Sequence, residues 1–276
     1  MAIVVTGATG NVGQPLVAEL VAAGAEVRAV SRQPDTAGLP AELTVFDTAA
    51  AAIQGASAVF LNALGAGIES LVRQAQRQGA VRLVALSAIN ADDDFSRQPS
   101  RYRGDRNKEV EQLAVESGLP WVSLRPSVFA TNFAGMWAGQ IRAGDVVNGP
   151  YAAASSAPIV ERDIAAVAAR ALLSDELVGQ RIPLTGQQAL TNTEMVDIIG
   201  SVLHRPLRYS EIPAELVRQR FIALGFGTEF ADAYIAMLAT TVDRPALVTH
   251  DLQRILGRPA ETFGQWVADH VSLFTN

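Results

Sequence analysis

The sequence predicts an α/β protein: a doubly wound parallel-sheet domain with a smaller, mostly helical C-terminal cap. Three observations lead there. Short apolar, often β-branched runs alternate with amphipathic stretches through the first half. A glycine-rich turn joins the first run to the first amphipathic stretch. After Pro126 the alternation gives way to longer apolar segments of helical character. Strand–helix alternation at this pitch requires crossover connections, which make strands parallel and cover both sheet faces with helices.

Residues 2–6 (AIVVT) are a continuous β-branched run ending at Gly7, the pattern of a strand buried on both faces. Residues 12–23 carry Val12, Leu16, Val17, Leu20 and Val21 at helical spacing and stop at Gly24, a C-terminal signal. Strands are expected at 27–30, 43–46, 58–61, 82–86 and 121–124, with helices near 69–78 and 107–117. Beyond Pro126, 129–141 is apolar and aromatic, 147–158 is a small-residue loop, 163–173 an apolar helix and 182–185 a late strand. Thr191 and Glu194 have the spacing of a capping box opening a helix over 195–203. Further helices are expected at 214–224, 229–240 and 262–273. This division gives 1–130 and 159–190 to the sheet domain, and 131–158 and 191–276 to the cap.

At about 150 residues per domain, 276 residues make one large domain or two small ones. Only 18% of residues are charged, below the usual share of roughly 25%, and 49% are hydrophobic, so a large buried core is expected. The net charge of −6 repels phosphate backbones and anionic lipid, which argues against nucleic-acid or membrane partners. The absence of cysteine excludes disulfides, thiol catalysis and thiolate metal sites. No apolar run approaches the about 20 residues of a membrane span, and residues 1–6 lack the basic start and apolar stretch of a signal peptide. The expectation is a cytoplasmic protein, monomer or homodimer, acting on a small-molecule substrate. Among its 22 basic residues the single lysine is Lys108.

The turn Thr6-Gly7-Ala8-Thr9-Gly10-Asn11-Val12-Gly13 stands where a dinucleotide fingerprint needs to stand, after a strand and opening a helix. Gly7 permits the tight turn, Gly10 lets backbone amides approach a pyrophosphate, and Gly13 lets the helix lie close to the sheet. The helix dipole then faces the phosphates. The sheet domain is thus read as an NAD(P)-binding Rossmann domain. NAD-binding folds place an acid after the second strand to hold the ribose hydroxyls. Here that position reads Ser31-Arg32; arginine grips a 2′-phosphate that a carboxylate would repel, so NADP(H) is preferred over NAD(H). Asp47, after the third strand, is either an adenine contact or a turn aspartate. Asn62, Ala63 and Leu64, after the fourth strand, complete the expected cofactor set with Ser87, Lys108, Pro126 and Phe129.

The TGATGNVG turn with Ser31-Arg32 resembles the atypical short-chain dehydrogenases of the NmrA-like group. The resemblance continues through Leu124-Arg125-Pro126-Ser127-Val128-Phe129 with Asn132, through Val160-Glu161-Arg162-Asp163-Ile164, and to Leu256-Gly257-Arg258-Pro259. It covers almost the whole chain. It implies either an NADPH-dependent reductase of quinone or azo type, or a redox sensor that binds the nucleotide without chemistry.

Short-chain dehydrogenases pair a tyrosine proton donor with a lysine four residues later and a serine one strand earlier. The lysine slot matches Lys108, but Gly104 occupies the tyrosine slot, and Tyr102 is six residues away, off any helical step. The candidate catalytic set is therefore Lys108, Ser87 and Tyr102. An acceptor whose hydride adduct is a stabilised anion, such as a quinone, enone, imine or similar carbonyl, tolerates a weak proton donor. Phe129, Asn132, Phe133 and Trp137 are the candidate substrate contacts, although aromatics at spacing four are equally an ordinary core stripe. The acidic run 92–94 reads as a solvated loop, within a polar stretch, 90–107, that would act as a lid. His204, His250 and His270 lack metal-ligand spacing, so no metal is expected.

Overall fold

The computed structural model describes residues 2–31, 39–40, 43–63, 67–78 and 82–275. In chain order these include strands β1 (Ala2–Thr6), β2 (Glu26–Val30), β3 (Thr44–Phe46), β4 (Ala56–Leu61), β5 (Arg82–Leu86), β6 (Trp121–Pro126), β7 (Val146–Gly149), β8 (Ser155–Ser156), β9 (Arg181–Leu184), β10 (Leu190–Thr191) and β11 (Arg208–Glu211). The helices are α1 (Gly13–Ala22), α2 (Ala49–Ala52), α3 (Ile68–Gln78), α4 (Asn107–Val115), α5 (Ala130–Ala143), α6 (Glu161–Leu173), α7 (Asn192–Leu203), α8 (Ala214–Ala223), α9 (Thr228–Ala239), α10 (Asp251–Leu256) and α11 (Phe263–Asp269).

The chain forms two compact units. Unit 1 comprises Met1–Ala91, Arg106–Pro126 and Glu161–Pro183. Its seven-stranded sheet has the order β3-β2-β1-β4-β5-β6-β9, and every pairing from β3 to β6 is parallel. Every residue of β1 is buried, as a strand covered on both faces requires. The chain runs from β1 to β2 and β3 on one side, then returns to place β4 on the other side of β1. The β1/β4 boundary is the topological switch point, outside which open α/β sheets bind ligands.

Helix α1 packs through Gly13, Leu16, Val17 and Leu20. Its entry is the tightest place in the unit. A Cβ on Gly13 would run into the Gly7 carbonyl oxygen and come within 2.8 Å of the Ala8 Cα, while one on Gly7, at φ 65°, would come within 2.6 Å of Asn62 Nδ2. Here helix and strand meet backbone to backbone.

Unit 2 comprises Asp92–Asp105, Ser127–Val160 and Leu184–Asn276. Its core joins α5, α7 and α11: Phe133, Trp137, Met195, Ile199, Phe263 and Trp266 are all buried there. Two small sheets, antiparallel β8–β10 and parallel β7–β11, edge it. The loop expected over 147–158 thus contains two strands, each too short to stand without its partner. The capping box at Thr191 forms in full: the Glu194 N–H donates to Thr191 Oγ1 (3.1 Å) and the Thr191 N–H to Glu194 Oε2 (2.8 Å). Thr262 and Gln265 build a second one ahead of α11.

The polar stretch after β5, expected with the sheet domain as a lid, clusters with unit 2 over residues 92–105. Its two 3-10 turns, Phe95–Arg97 and Pro99–Arg103, pack against α9. The Arg103 guanidinium lies 4.7 Å from the centre of the Phe226 ring. Asp94, the last of the acidic run, caps the first turn by accepting the Ser96 N–H at 2.8 Å. Among the described residues no cluster of His, Asp and Glu could hold a metal ion, and no helix is long and apolar enough to cross a membrane.

Gly13→Ala is expected to destabilise the protein by about 1–3 kcal/mol, the usual cost of forcing atoms into a packed space. Gly139→Ala, in α5 with open space around it, is expected to be neutral or stabilising by up to about 1 kcal/mol. Urea denaturation of both variants checks the contrast.

Candidate functional site

Because the strands of unit 1 are parallel, their carboxyl ends share one edge, and most expected cofactor residues follow those ends. The glycine turn follows β1, Ser31 follows β2, Asp47 follows β3, Asn62 and Ala63 follow β4, Ser87 follows β5, and Pro126 closes β6. A chain passing between parallel strands must return across the sheet, and α4 makes the return from β5 to β6. Its first turn, with Lys108, therefore stands at the same edge. Arg32 and Leu64 lie outside the described residues.

Within the turn, Thr9 and Asn11 are exposed and Gly7 and Gly10 half-buried. The Gly10 N–H donates to the Gly7 carbonyl at 2.9 Å, which curls the chain tightly. Val12 is buried and has helical backbone at the N-cap of α1, so only its backbone is available to a ligand. Thr6, absent from the expected set, fastens the switch point. Its buried hydroxyl donates to the Phe60 carbonyl (2.8 Å) and accepts the Asn62 N–H (2.9 Å), holding the end of β4 beside the turn. Asp47 is exposed, Ala63 buried and Asn62 half-buried.

Ser87 is 3% exposed. Its N–H extends the β5–β6 ladder to the Leu124 carbonyl at 2.8 Å, but its Oγ has no hydrogen-bond partner among the described residues. A buried hydroxyl without a partner is costly, and a ligand atom is one way to satisfy it. The glycine cradle and this orphaned oxygen on one sheet edge fit a bound dinucleotide.

Lys108 is half-buried on α4. Three residues on, Glu111 is 4% exposed and locks the helix to the sheet. Its carboxylate accepts from Arg125 through Nε (2.8 Å) and Nη2 (2.6 Å), from Arg181 Nε (2.7 Å) and from the Ser123 hydroxyl. Burial pushes this carboxyl up; the two guanidiniums and the hydroxyl outweigh it and pull it down to about 2. Sequence reasoning missed Glu111. The available signal was a glutamate between Val110 and Ala114 on the apolar face of a helix, where a charge must find a partner.

The expected substrate residues belong to unit 2, where two of them are buried. Phe133 and Trp137 are 3% and 5% exposed and pack in the core. Their ring centres are 5.0 Å apart, Phe133 meets Phe263 at 5.6 Å, and Trp137 meets Tyr209 at 6.1 Å. The core-stripe alternative describes them, because α5 presents its i, i+4 face to α7 and α11. Phe129 remains half-buried at the N-cap of α5 and Asn132 exposed in its first turn. Tyr102 is 42% exposed on its 3-10 turn. Gly104, in the slot where the resemblance places a tyrosine, closes that turn at φ 104°, a conformation that favours glycine.

The model of a family described as NAD(P)H-binding matches residues 7–175. A curated relative from Streptomyces griseus, (4-alkanoyl-5-oxo-2,5-dihydrofuran-3-yl)methyl phosphate reductase, is 32% identical over 99% of each chain. An NAD(P)H azoreductase from Xenophilus azovorans is 31% identical over 74% of this chain and 70% of its own. In fold, the chain is similar to an NADPH-dependent quinone oxidoreductase from Escherichia coli solved with NADPH. The TM-score is 0.82 at 20% identity, over 98% of this chain and 99% of that one.

The Glu111 anchor predicts a pH dependence. Its carboxyl is lower in the folded chain than the ordinary 4.5, so its stabilisation is complete above that value and lost as pH falls from about 4.5 to about 2. The span is worth about 3 kcal/mol. Glu111→Gln should be less stable than the parent at neutral pH, with the gap closing across that window in melts followed by circular dichroism.

Proposed function

The chain belongs to the NAD(P)H-binding family of atypical short-chain dehydrogenase/reductases, and from that premise we propose that it is an NADPH-dependent reductase of a small, apolar, electron-poor acceptor. Quinones, enones, imines and similar carbonyls are the acceptor class. The observation that carries this reading is the buried Ser87 Oγ, without a hydrogen-bond partner among the described residues, on the sheet edge that bears the glycine cradle. The reductases named among the relatives support it.

In this reading residues 7–13 hold the pyrophosphate, with Thr9 and Asn11 at its exposed side. Ser31 and Arg32 hold the ribose 2′-phosphate and set the preference for NADP(H); Asp47 and residues 62–64 line the adenosine side. Ser87, Lys108 and Pro126 are the residues of unit 1 assigned to the nicotinamide riboside. The bound dinucleotide supplies a hydride. The chain's own task is to orient, to exclude water and to carry a proton. Lys108 Nζ binds ribose and relays that proton, with Tyr102 the alternative donor. Gly104 provides none, so the acceptors that suit the site stabilise the anion left by hydride addition. Phe129 and Asn132 are the acceptor contacts that unit 2 leaves at its surface.

NADPH oxidation by the purified protein against a panel of these acceptors tests the proposal. Lys108→Ala is expected to lower kcat/KM by roughly 10²-fold, the lower end for a positioned proton carrier; unchanged turnover removes Lys108 from the chemistry. Tight NADPH binding with no acceptor reduced would instead mark a redox sensor, the reading that Gly104 favours. Arg32→Glu should cut the NADPH-to-NADH affinity ratio by roughly 10-fold or more, since a hydrogen bond to a charged group is worth about 1.5–3 kcal/mol. Fluorescence titration with each nucleotide reads that ratio.

A further inference from the structure

Unit 2 contains a feature outside the expected nucleotide-binding set. Tyr151, in the loop between β7 and β8, has φ 49°. Among the described residues the other non-glycine residue with positive φ is His204, which simply ends α7. A bulky side chain rarely adopts this conformation, and it persists only where surrounding bonds impose it. Here they do. Asn192, 4% exposed, donates through Nδ2 to the carbonyls of Tyr151 (2.9 Å) and Pro150 (3.3 Å). The Tyr209 hydroxyl donates to the Pro150 carbonyl at 2.8 Å, and the Ala152 N–H donates to Glu211 Oε2 at 2.7 Å. Burial raises the Tyr209 phenol above its ordinary range, which keeps that donor protonated.

The loop so fixed presents Tyr151 to two open hollows that share Tyr151 and Ala214. One, of about 410 Å³, is bordered by Ile212, Pro213 and Glu211; the other, of about 260 Å³, by Ile235, Ala236 and Asp232. The lining of each is more apolar than polar, and Tyr151 borders both. Their charges are three carboxylates, Glu211, Glu215 and Asp232, against the single guanidinium of Arg218. Arg218 is already bridged to Asp232 at 2.5 Å and Glu215 at 3.7 Å. The N-terminus of α8 opens here too, but Glu215 in its first turn already answers that dipole.

We propose that the paired hollows around Tyr151 bind a planar, cationic ring compound. The tyrosine face attracts a cation, the apolar part of the lining accepts the rings, and Glu211 offsets the charge. An anion of the same shape meets the excess of carboxylates and is repelled. The site is independent of the nucleotide reading, and its test uses neither nucleotide nor turnover.

Isothermal titration of the full chain with 1-methylquinolinium, 1-methylnaphthalene and 1-naphthoate compares one shape in three charge states. Saturable one-to-one binding of the cation, about tenfold or more tighter than the neutral compound, with none of the anion, is expected. Tyr151→Ala and Tyr151→Gly should each weaken the cation by about tenfold, and Glu211→Gln by about fivefold. Tyr151→Gly relieves the strained backbone, so its melting temperature should hold or rise while binding falls. That combination separates a ligand-binding ring from a structural one, and it decides the matter if Tyr151→Ala fails to fold. Similar affinity for all three probes, absence of saturation by the cation, or full affinity in Tyr151→Gly would overturn the proposal.

Discussion

The backbone contact between the end of β1 and the start of α1 is the constraint on which the nucleotide-binding unit depends. A helix that begins against the Gly7 carbonyl, with no Cβ at Gly13 to hold it off, points its amino end at the switch point of the sheet. Thr6 then ties β4 to the same place through both functions of one hydroxyl. Parallel pairing carries the ends of the neighbouring strands to that edge without further instruction. The site is thus largely a consequence of topology, with glycine at two positions as the condition for assembling it.

A second constraint is electrostatic. Burying Glu111 among Arg125, Arg181 and Ser123 costs desolvation that the charged hydrogen bonds must offset, and an apolar replacement of similar volume would serve packing as well. Packing alone would leave α4 free to settle in neighbouring rotations. A bidentate pair with a strand arginine has one geometry, and Lys108 is three residues away on the same helix. The cluster gives the helix a definite register against β6 and β9.

Unit 2 distributes its aromatics differently from unit 1. Phe133, Trp137, Phe263 and Trp266 are committed to its core, while Phe221, Phe226, Phe230 and Tyr234 form a second group of touching rings on α8, α9 and the turn between them. Tyr151 belongs to neither and is held where its own backbone preference would not place it. Strain of that kind persists where surrounding bonds over-determine it, as those to Asn192, Tyr209 and Glu211 do here.

The sequence by itself determined the parts of this protein whose signals are local. β1, α1 and the glycine turn between them are legible because burial on both faces, helical periodicity and a φ 65° turn each leave a mark within a few residues. The Thr191 capping box is legible for the same reason. Tertiary structure decided the rest. β7, β8, β10 and β11 are two to four residues long and exist through their partners. Residues 92–105 look like a polar loop in isolation and pack through contacts with α9 far along the chain. Phe133 and Trp137 carry the same stripe whether it faces a core or a ligand, and only the arrival of α7 and α11 selects the core. Glu111 finds its arginines 14 and 70 residues away. A periodic pattern states which faces are apolar, whereas the partner of a buried charge depends on which segments the fold brings together.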